Sequence, residues 1–192
     1  MRLTTEKISL LINQDRKAQY ELYKDCFGYM MSISLRYQNE GEAAEDVVNR
    51  AYLKVLKSIS SYDVSKSFKP WLARITVNEN IDACRRKKKL RSLIQFDSET
   101  VDADCNLNNY EFNTAEQELD ADHLRHMISQ LPETTKCVFN LYVVDGYKHH
   151  EIAEMLSLST GTSKWHLNSA RKRLKKLIIN MKNKEKRIHY GE

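Results

Sequence analysis

The sequence predicts an all-α protein: two small helical domains joined by an acidic flexible linker, the C-terminal one a helix-turn-helix. Three observations carry this. Apolar residues recur at spacings of three and four almost throughout. The 192 residues include only two Pro and five Gly, the residues that most often interrupt helices. Charge is also segregated, although the formal net charge is only +5. A chain of this length suffices for one ordinary domain or two small ones.

The first domain is expected over residues 7–89. Leu22, Cys26, Met30, Ile33 and Tyr37 step by three or four and mark one amphipathic helix. Gly41 interrupts the pattern, and a second helix carries Val47, Val48, Ala51, Tyr52, Leu53, Val55 and Leu56. Ser58 to Phe68 is Ser-rich and polar and reads as a loop. A third helix opens near Pro70, which suits a first-turn position, and runs through Trp71, Leu72, Ile75, Val77 and Ile81. It ends in the basic run Arg85-Arg86-Lys87-Lys88-Lys89.

Residues 90–114 have weak periodicity and many Asn, Asp and Ser, and are expected to form the linker. No Lys or Arg occurs between Gln95 and Asp122, but Asp97, Glu99, Asp102, Asp104, Glu111, Glu116, Glu118 and Asp120 do. The second domain is expected over 115–182. Leu119, His123, Leu124, Met127, Ile128 and Leu131 give one helix, and Pro132 opens another that stops at Asp145-Gly146.

Two shorter helices follow, and they are the most informative. Ile152, Ala153 and Leu156 precede Ser157-Leu158-Ser159 and a new helix from about Gly161, which is the helix-turn-helix spacing. A second helix crossing close by requires the small Ala153, and Leu158 plugs the turn. Ser159 is a natural N-cap, leaving N–H groups that can hold a phosphate. Leu167, Ala170, Leu174, Leu177 and Met181 form the buried stripe of the last helix. Its opposite face presents Lys164, Trp165, Asn168, Arg171, Lys172 and Lys175, suited to phosphates and base edges. The alternative is a solvated basic face on a bundle. Ser157 stands where such turns often have Gly, Ser163 at an inward position often held by Val, and Lys148 where Ser or Thr would cap the first helix.

Other classes find little support. Cys26, Cys84, Cys105 and Cys137 include no C-x-x-C pair, so neither a metal-ligand set nor a disulfide framework is indicated, and the cysteines are expected to be buried. No cofactor or metal is expected. His149-His150 lie near Glu151 and Glu154, yet adjacent histidines point different ways on a helix, and H-E-x-x-H, a P-loop and a nucleophile elbow are all absent. No enzymatic activity is expected. No apolar run reaches the roughly 20 residues of a membrane span, and Met1 to Lys7 lacks a signal-peptide pattern, so a cytoplasmic location is expected. The main rival is a conventional helix-turn-helix repressor or activator that binds paired half-sites as a dimer. The lack of a ligand-pocket pattern speaks against it.

Both halves resemble the extracytoplasmic-function (ECF) sigma factors of the sigma-70 family. Leu131-Pro132-Glu133, Val138-Phe139, Glu151-Ile152-Ala153-Glu154-Met155-Leu156, Gly161-Thr162-Ser163-Lys164 and Ala170-Arg171 resemble that family's region four. Ala44-Glu45-Asp46-Val47-Val48 with Tyr52-Leu53-Lys54-Val55 resembles the region-two helix that grips core RNA polymerase. Phe68-Lys69-Pro70-Trp71-Leu72-Ala73-Arg74-Ile75, Asn78, Asp82 and Arg85-Arg86 resemble its minus-10 recognition helix.

The resemblance implies an RNA polymerase sigma factor that binds core polymerase and promoter DNA and promotes strand opening. It further implies an anti-sigma factor as a partner and no membrane insertion. Core polymerase would meet Asp46, Asn49, Arg50 and Leu53; the family usually has Gln-Glu where this chain has Asn49-Arg50. Opening a promoter means trapping a base pulled from the stack. The loop Asp63-Val64-Ser65-Lys66-Ser67-Phe68 lies where the family holds that base, with Ser65, Lys66, Ser67 and Phe68 as the contacting residues. Asn78 would read a neighbouring base, and Arg85, Arg86 and Lys87 would hold the backbone. Trp71 would either wedge against the duplex or pack in the core. The minus-35 element would meet Thr160, Gly161, Thr162, Lys164, Trp165, Asn168, Arg171 and Lys172. The acidic linker would be a solvated tether or a segment threaded through polymerase channels.

Overall fold

The structure, a computed structural model, describes residues 3–94 and 121–189. Every regular element among these residues is helical. The chain divides into two compact units, Met1–Lys88 and Lys89–Glu192.

The first unit opens with α1 (Thr5–Ile12), capped by Thr4, whose Oγ1 accepts the Lys7 N–H at 3.2 Å. Gln14 then takes a left-handed conformation (φ 59°), and Asp15 caps α2 (Arg16–Tyr37) by accepting the Ala18 N–H at 2.7 Å. Helix α3 spans Gly41–Ser58, so Gly41 begins the helix. A 3₁₀ turn, Ile59–Ser61, leads to the loop before α4 (Phe68–Ile94).

Leu22, Cys26 and Met30 of α2 meet Val48, Ala51 and Val55 of α3 and Phe68 and Leu72 of α4 in one core. Each such large apolar side chain contributes about 1.5–3 kcal/mol on full burial. Phe68, expected in the DNA-facing loop, is instead fully buried. Its ring meets Tyr62 edge-on at 5.3 Å and Trp71 at 5.5 Å, and Tyr62 also lies 5.2 Å from Trp71. The aromatic ring at the start of α4 closes the end of the core, so it is withheld from the surface. Half-buried Trp71 packs against the same cluster.

A polar layer flanks this core. Asn80 Nδ2 donates to Ser34 Oγ (3.1 Å) and to the Thr76 carbonyl (2.9 Å), and Gln38 Nε2 donates to Asn80 Oδ1 (3.2 Å). Lys87 Nζ in turn donates to Gln38 Oε1 at 2.8 Å. Buried polar groups are thus satisfied by one another, as burial demands.

Helix α4 continues to Ile94, five residues into the segment 90–114 expected to be a linker. Leu90, Arg91 and Leu93 are good helix formers, and no Gly or Pro intervenes. The rest of that segment, and the opening of the second domain up to Asp120, lie outside the described residues.

The second unit comprises α5 (Ala121–Ser129), α6 (Glu133–Phe139), α7 (His149–Leu156) and α8 (Thr160–His189). The helix expected to run unbroken from Pro132 to Asp145 widens after Phe139 into a π turn, Asn140–Val144, with the Asp145 N–H bonded to the Asn140 carbonyl at 3.0 Å. The turn buries Asn140 and Leu141 while leaving Tyr142, Val143 and Val144 exposed. Gly146 follows at φ 77°. Ile152, Ala153 and Leu156 of α7 and Leu167, Ala170 and Leu174 of α8 are buried, whereas Leu177 and Met181 of the expected stripe are half-buried.

Candidate nucleic-acid interface

In the second unit the turn between α7 and α8 is fixed at both ends. Ser157 terminates α7 in the left-handed region (φ 52°, ψ 55°). The Leu158 N–H reaches back to the Ala153 carbonyl at 2.9 Å, and the Ser157 N–H to that of Glu154 at 3.4 Å. This is the Schellman arrangement, in which a glycine is usual at the left-handed position. Ser159 Oγ then accepts the Thr162 N–H at 2.9 Å, the expected N-cap of α8. At the start of α7, Lys148 has no acceptor to offer, yet its N–H donates to Glu151 Oε2 at 2.7 Å. Half of a capping box therefore survives the lysine.

Ser163, fully buried where an aliphatic side chain would be expected, is satisfied by His149 Nδ1 at 2.9 Å. The Tyr142 ring stacks on His149 at 4.5 Å. Burial, reinforced by the Lys164 and Arg171 cations, lowers the His149 pKa and favours the neutral ring. His150 is exposed, so the two adjacent histidines do point apart. On the expected DNA-facing surface Thr160, Gly161, Lys164 and Lys172 are exposed, while Thr162, Trp165, Asn168 and Arg171 are half-buried. The Thr162 hydroxyl bonds Ser159 (2.8 Å) and the Trp165 ring abuts His166 edge-on (4.9 Å). His166 Nδ1 is in turn 3.0 Å from Thr135 Oγ1, which fastens α8 to α6.

In the first unit the expected base-trapping loop is ordered by Asp63. Its Oδ1 accepts from Ser65 N (3.0 Å) and Ser65 Oγ (2.7 Å), and the Tyr62 hydroxyl donates to the Lys66 carbonyl. The Ser65 hydroxyl and N–H hold the Asp63 carboxyl below its usual pKa. Ser65, Lys66 and Ser67 are exposed. Along α4, Trp71, Asn78 and Arg85 recur every seven residues and so share one stripe, roughly 21 Å long at the helical rise. Asn78, Arg85 and Arg86 are exposed and Lys87 is half-buried.

On α3, Asp46, Asn49, Arg50 and Leu53 fall on one face at helical spacing. Asp46 and Leu53 are open to solvent, with Leu53 57% exposed. Asn49 Oδ1 accepts from the Tyr23 hydroxyl at 2.8 Å. Arg50 is turned partly inward: its Nε donates to Glu79 Oε1 of α4 at 3.1 Å, and Nη1 lies 3.6 Å from Asp46. Glu79 was not singled out from the sequence. It sits seven residues after buried Leu72 and seven before Arg86, so a carboxylate on the inward stripe was the available signal.

Among the described residues no helix is long and apolar enough to cross a membrane, and no group of His, Cys, Asp and Glu could hold a metal ion. Residues 22–90 match the family profile of sigma-70 region 2, and residues 122–174 that of sigma-70 region 4. The chain is 28% identical to the ECF RNA polymerase sigma factor SigW of Bacillus subtilis over 82% of this chain and 86% of that one. It is 26% identical to the ECF RNA polymerase sigma-E factor of Haemophilus influenzae, over 85% and 89% respectively. A solved structure of the sigma factor RpoE with the anti-sigma factor NepR, from Bartonella quintana, aligns with 83% of this chain and 95% of that one at 18% identity and a TM-score of 0.48.

Proposed function

The chain belongs to the ECF group of the sigma-70 family and is an RNA polymerase sigma factor, and on that premise we propose how its residues divide the work. Region two spans residues 7–89 and region four 115–182, joined by the acidic segment 90–114. The outer face of α3, with Asp46, Asn49 and Leu53 and the outward part of Arg50, meets core polymerase. Exposed Leu53 supplies apolar area there and Asp46 supplies charge. The observation that carries the DNA half of the reading is the basic outer face of α8, set by Ser159 and backed by the buried stripe Leu167-Ala170-Leu174.

Lys164, Trp165 and Asn168 lie closest to base edges of the minus-35 element. Thr160, Gly161 and Thr162 offer the helix N-terminus to a phosphate, and Arg171 and Lys172 pair with flanking phosphates. At the minus-10 element Ser65, Lys66 and Ser67 border the trapped base, Asn78 reads its neighbour, and Arg85, Arg86 and Lys87 hold the strand. Trp71 keeps an edge at this surface, whereas Phe68 acts through the core by fixing the loop. The protein works in the cytoplasm as a regulatory subunit without catalysis of its own, and an anti-sigma factor is a further partner.

The test is the double variant Lys164→Ala with Asn168→Ala. It is expected to abolish recognition of the upstream element while core-polymerase affinity stays unchanged. Loss of polymerase binding would refute the assignment of faces.

A further inference from the structure

One carboxylate joins the two faces of the first unit. Glu79, on α4, is 1% exposed, and its Oε1 accepts from Arg50 Nε at 3.1 Å and from Arg86 Nη2 at 2.9 Å. Lys54 Nζ stands 2.6 Å from Oε2, an ion contact rather than an aligned hydrogen bond, and also meets Asp82 at 3.0 Å. A buried carboxylate is costly unless paired, and here three cations from two helices converge on it. Burial alone would raise the Glu79 pKa, but Lys54 and Arg86 hold it below the ordinary value.

The consequence falls on Arg86. A guanidinium carries five N–H donors in a rigid fork, and Glu79 takes one at Nη2. The Arg86 side chain remains 56% exposed, which leaves donors for a second partner. Arg86 is thereby fixed to the fold as well as presented to solvent, as half-buried Lys87 is in part through Gln38. Arg50 is drawn from the outer face of α3 towards the same carboxylate, so one group sets the placement of cations on both faces.

We infer that Glu79 is a positioning residue for promoter binding: it holds Arg86 ready for a backbone phosphate of the minus-10 region, and it turns part of Arg50 inward from the polymerase-facing surface. This rests on the assignment of α4 to promoter DNA. The mechanism is preorganisation, in which an arginine already oriented loses less freedom when it meets the phosphate.

The experiment measures promoter affinity of the reconstituted holoenzyme against salt concentration. Neutralising one phosphate changes the slope of log affinity against log salt by about 0.7–0.9. Glu79→Gln is expected to weaken binding and to flatten the slope by about that amount, as Arg86→Ala does, and the two changes together should do no more than Arg86→Ala alone. Arg86→Lys, a surface change that leaves the core intact, serves should Glu79→Gln fail to fold. An ammonium keeps the charge but not the rigid planar fork, so Glu79 no longer fixes its direction and it too is expected to flatten the slope. If Arg86→Ala flattens the slope but Arg86→Lys and Glu79→Gln leave it unchanged or steeper, the positioning role is overturned while the α4 assignment stands. If Arg86→Ala itself leaves the slope unchanged, the assignment fails and the inference with it.

Discussion

Replacing Ser157 by glycine should stabilise the second unit, because the turn between α7 and α8 forces a residue with a Cβ into the left-handed region (φ 52°, ψ 55°). An L-residue pays roughly 1–2 kcal/mol for that conformation, and glycine removes the penalty. Against this, glycine gives the unfolded chain extra freedom worth about 0.5–1 kcal/mol. The Ser157 side chain is exposed, so no packing is lost. The net gain expected for Ser157→Gly is about 0.5–1 kcal/mol. With a urea dependence of about 1–1.5 kcal/mol per molar for a unit this small, the midpoint should rise by about 0.5 M. The chain has two tryptophans, Trp71 in one unit and Trp165 in the other, so their indole N–H signals report each unit separately during urea titration. The Trp165 transition should move up while the Trp71 transition stays in place. Ser157→Val, with a branched side chain in the same conformation, should lower the Trp165 midpoint. A Trp165 midpoint that falls with glycine, or does not move, would refute the backbone geometry on which the helix-turn-helix assignment depends.

Further expectations concern ionisation. The folded-state pKa of His149 lies below its unfolded value, so protons bind the unfolded chain more tightly and stability is lost as pH falls below about 6.5, levelling once the folded pKa is passed. The Trp165 urea midpoint should therefore drop between pH 7.5 and 5.5 more steeply in the native chain than in His149→Asn, whose side-chain amide can still bond Ser163; equal slopes would contradict the buried pairing. The Cys26 thiol, desolvated in the core and beside Asp25, has its pKa pushed up to about 11. Site-resolved alkylation at pH 7.5 should spare Cys26 in the folded protein and label it in urea, and rapid native labelling would show that the α2–α3 core opens.

The long helices were legible because burial writes itself at intervals of three and four. Leu22 to Tyr37 and Leu167 to Leu174 each show a stripe that survives in the structure. Helix α1 leaves little trace in the sequence because a short helix offers only Ile8 and Leu11 to mark its buried side. Phe68 follows a polar, Ser-rich stretch that reads as a loop, but one large aromatic ring outweighs its polar neighbours when a core end must be closed. The departures at Ser157, Ser163 and Lys148 were visible as departures, while their compensations were not. Ser163 needs a hydroxyl partner fourteen residues away in His149, and Arg50 finds Glu79 twenty-nine residues on. Such pairings join different helices and leave no periodic trace. The same reason hid Glu79, whose meaning depends on α3 lying against α4.

That two small helical units act together as one sigma factor is tested most directly by transcription itself. Purified chain added to sigma-free core polymerase, on a template with two spaced promoter elements, should yield a run-off transcript that disappears when either element is scrambled. Promoter binding by the isolated protein with no transcript above that of core polymerase alone would contradict the account and favour a helix-turn-helix regulator acting without polymerase.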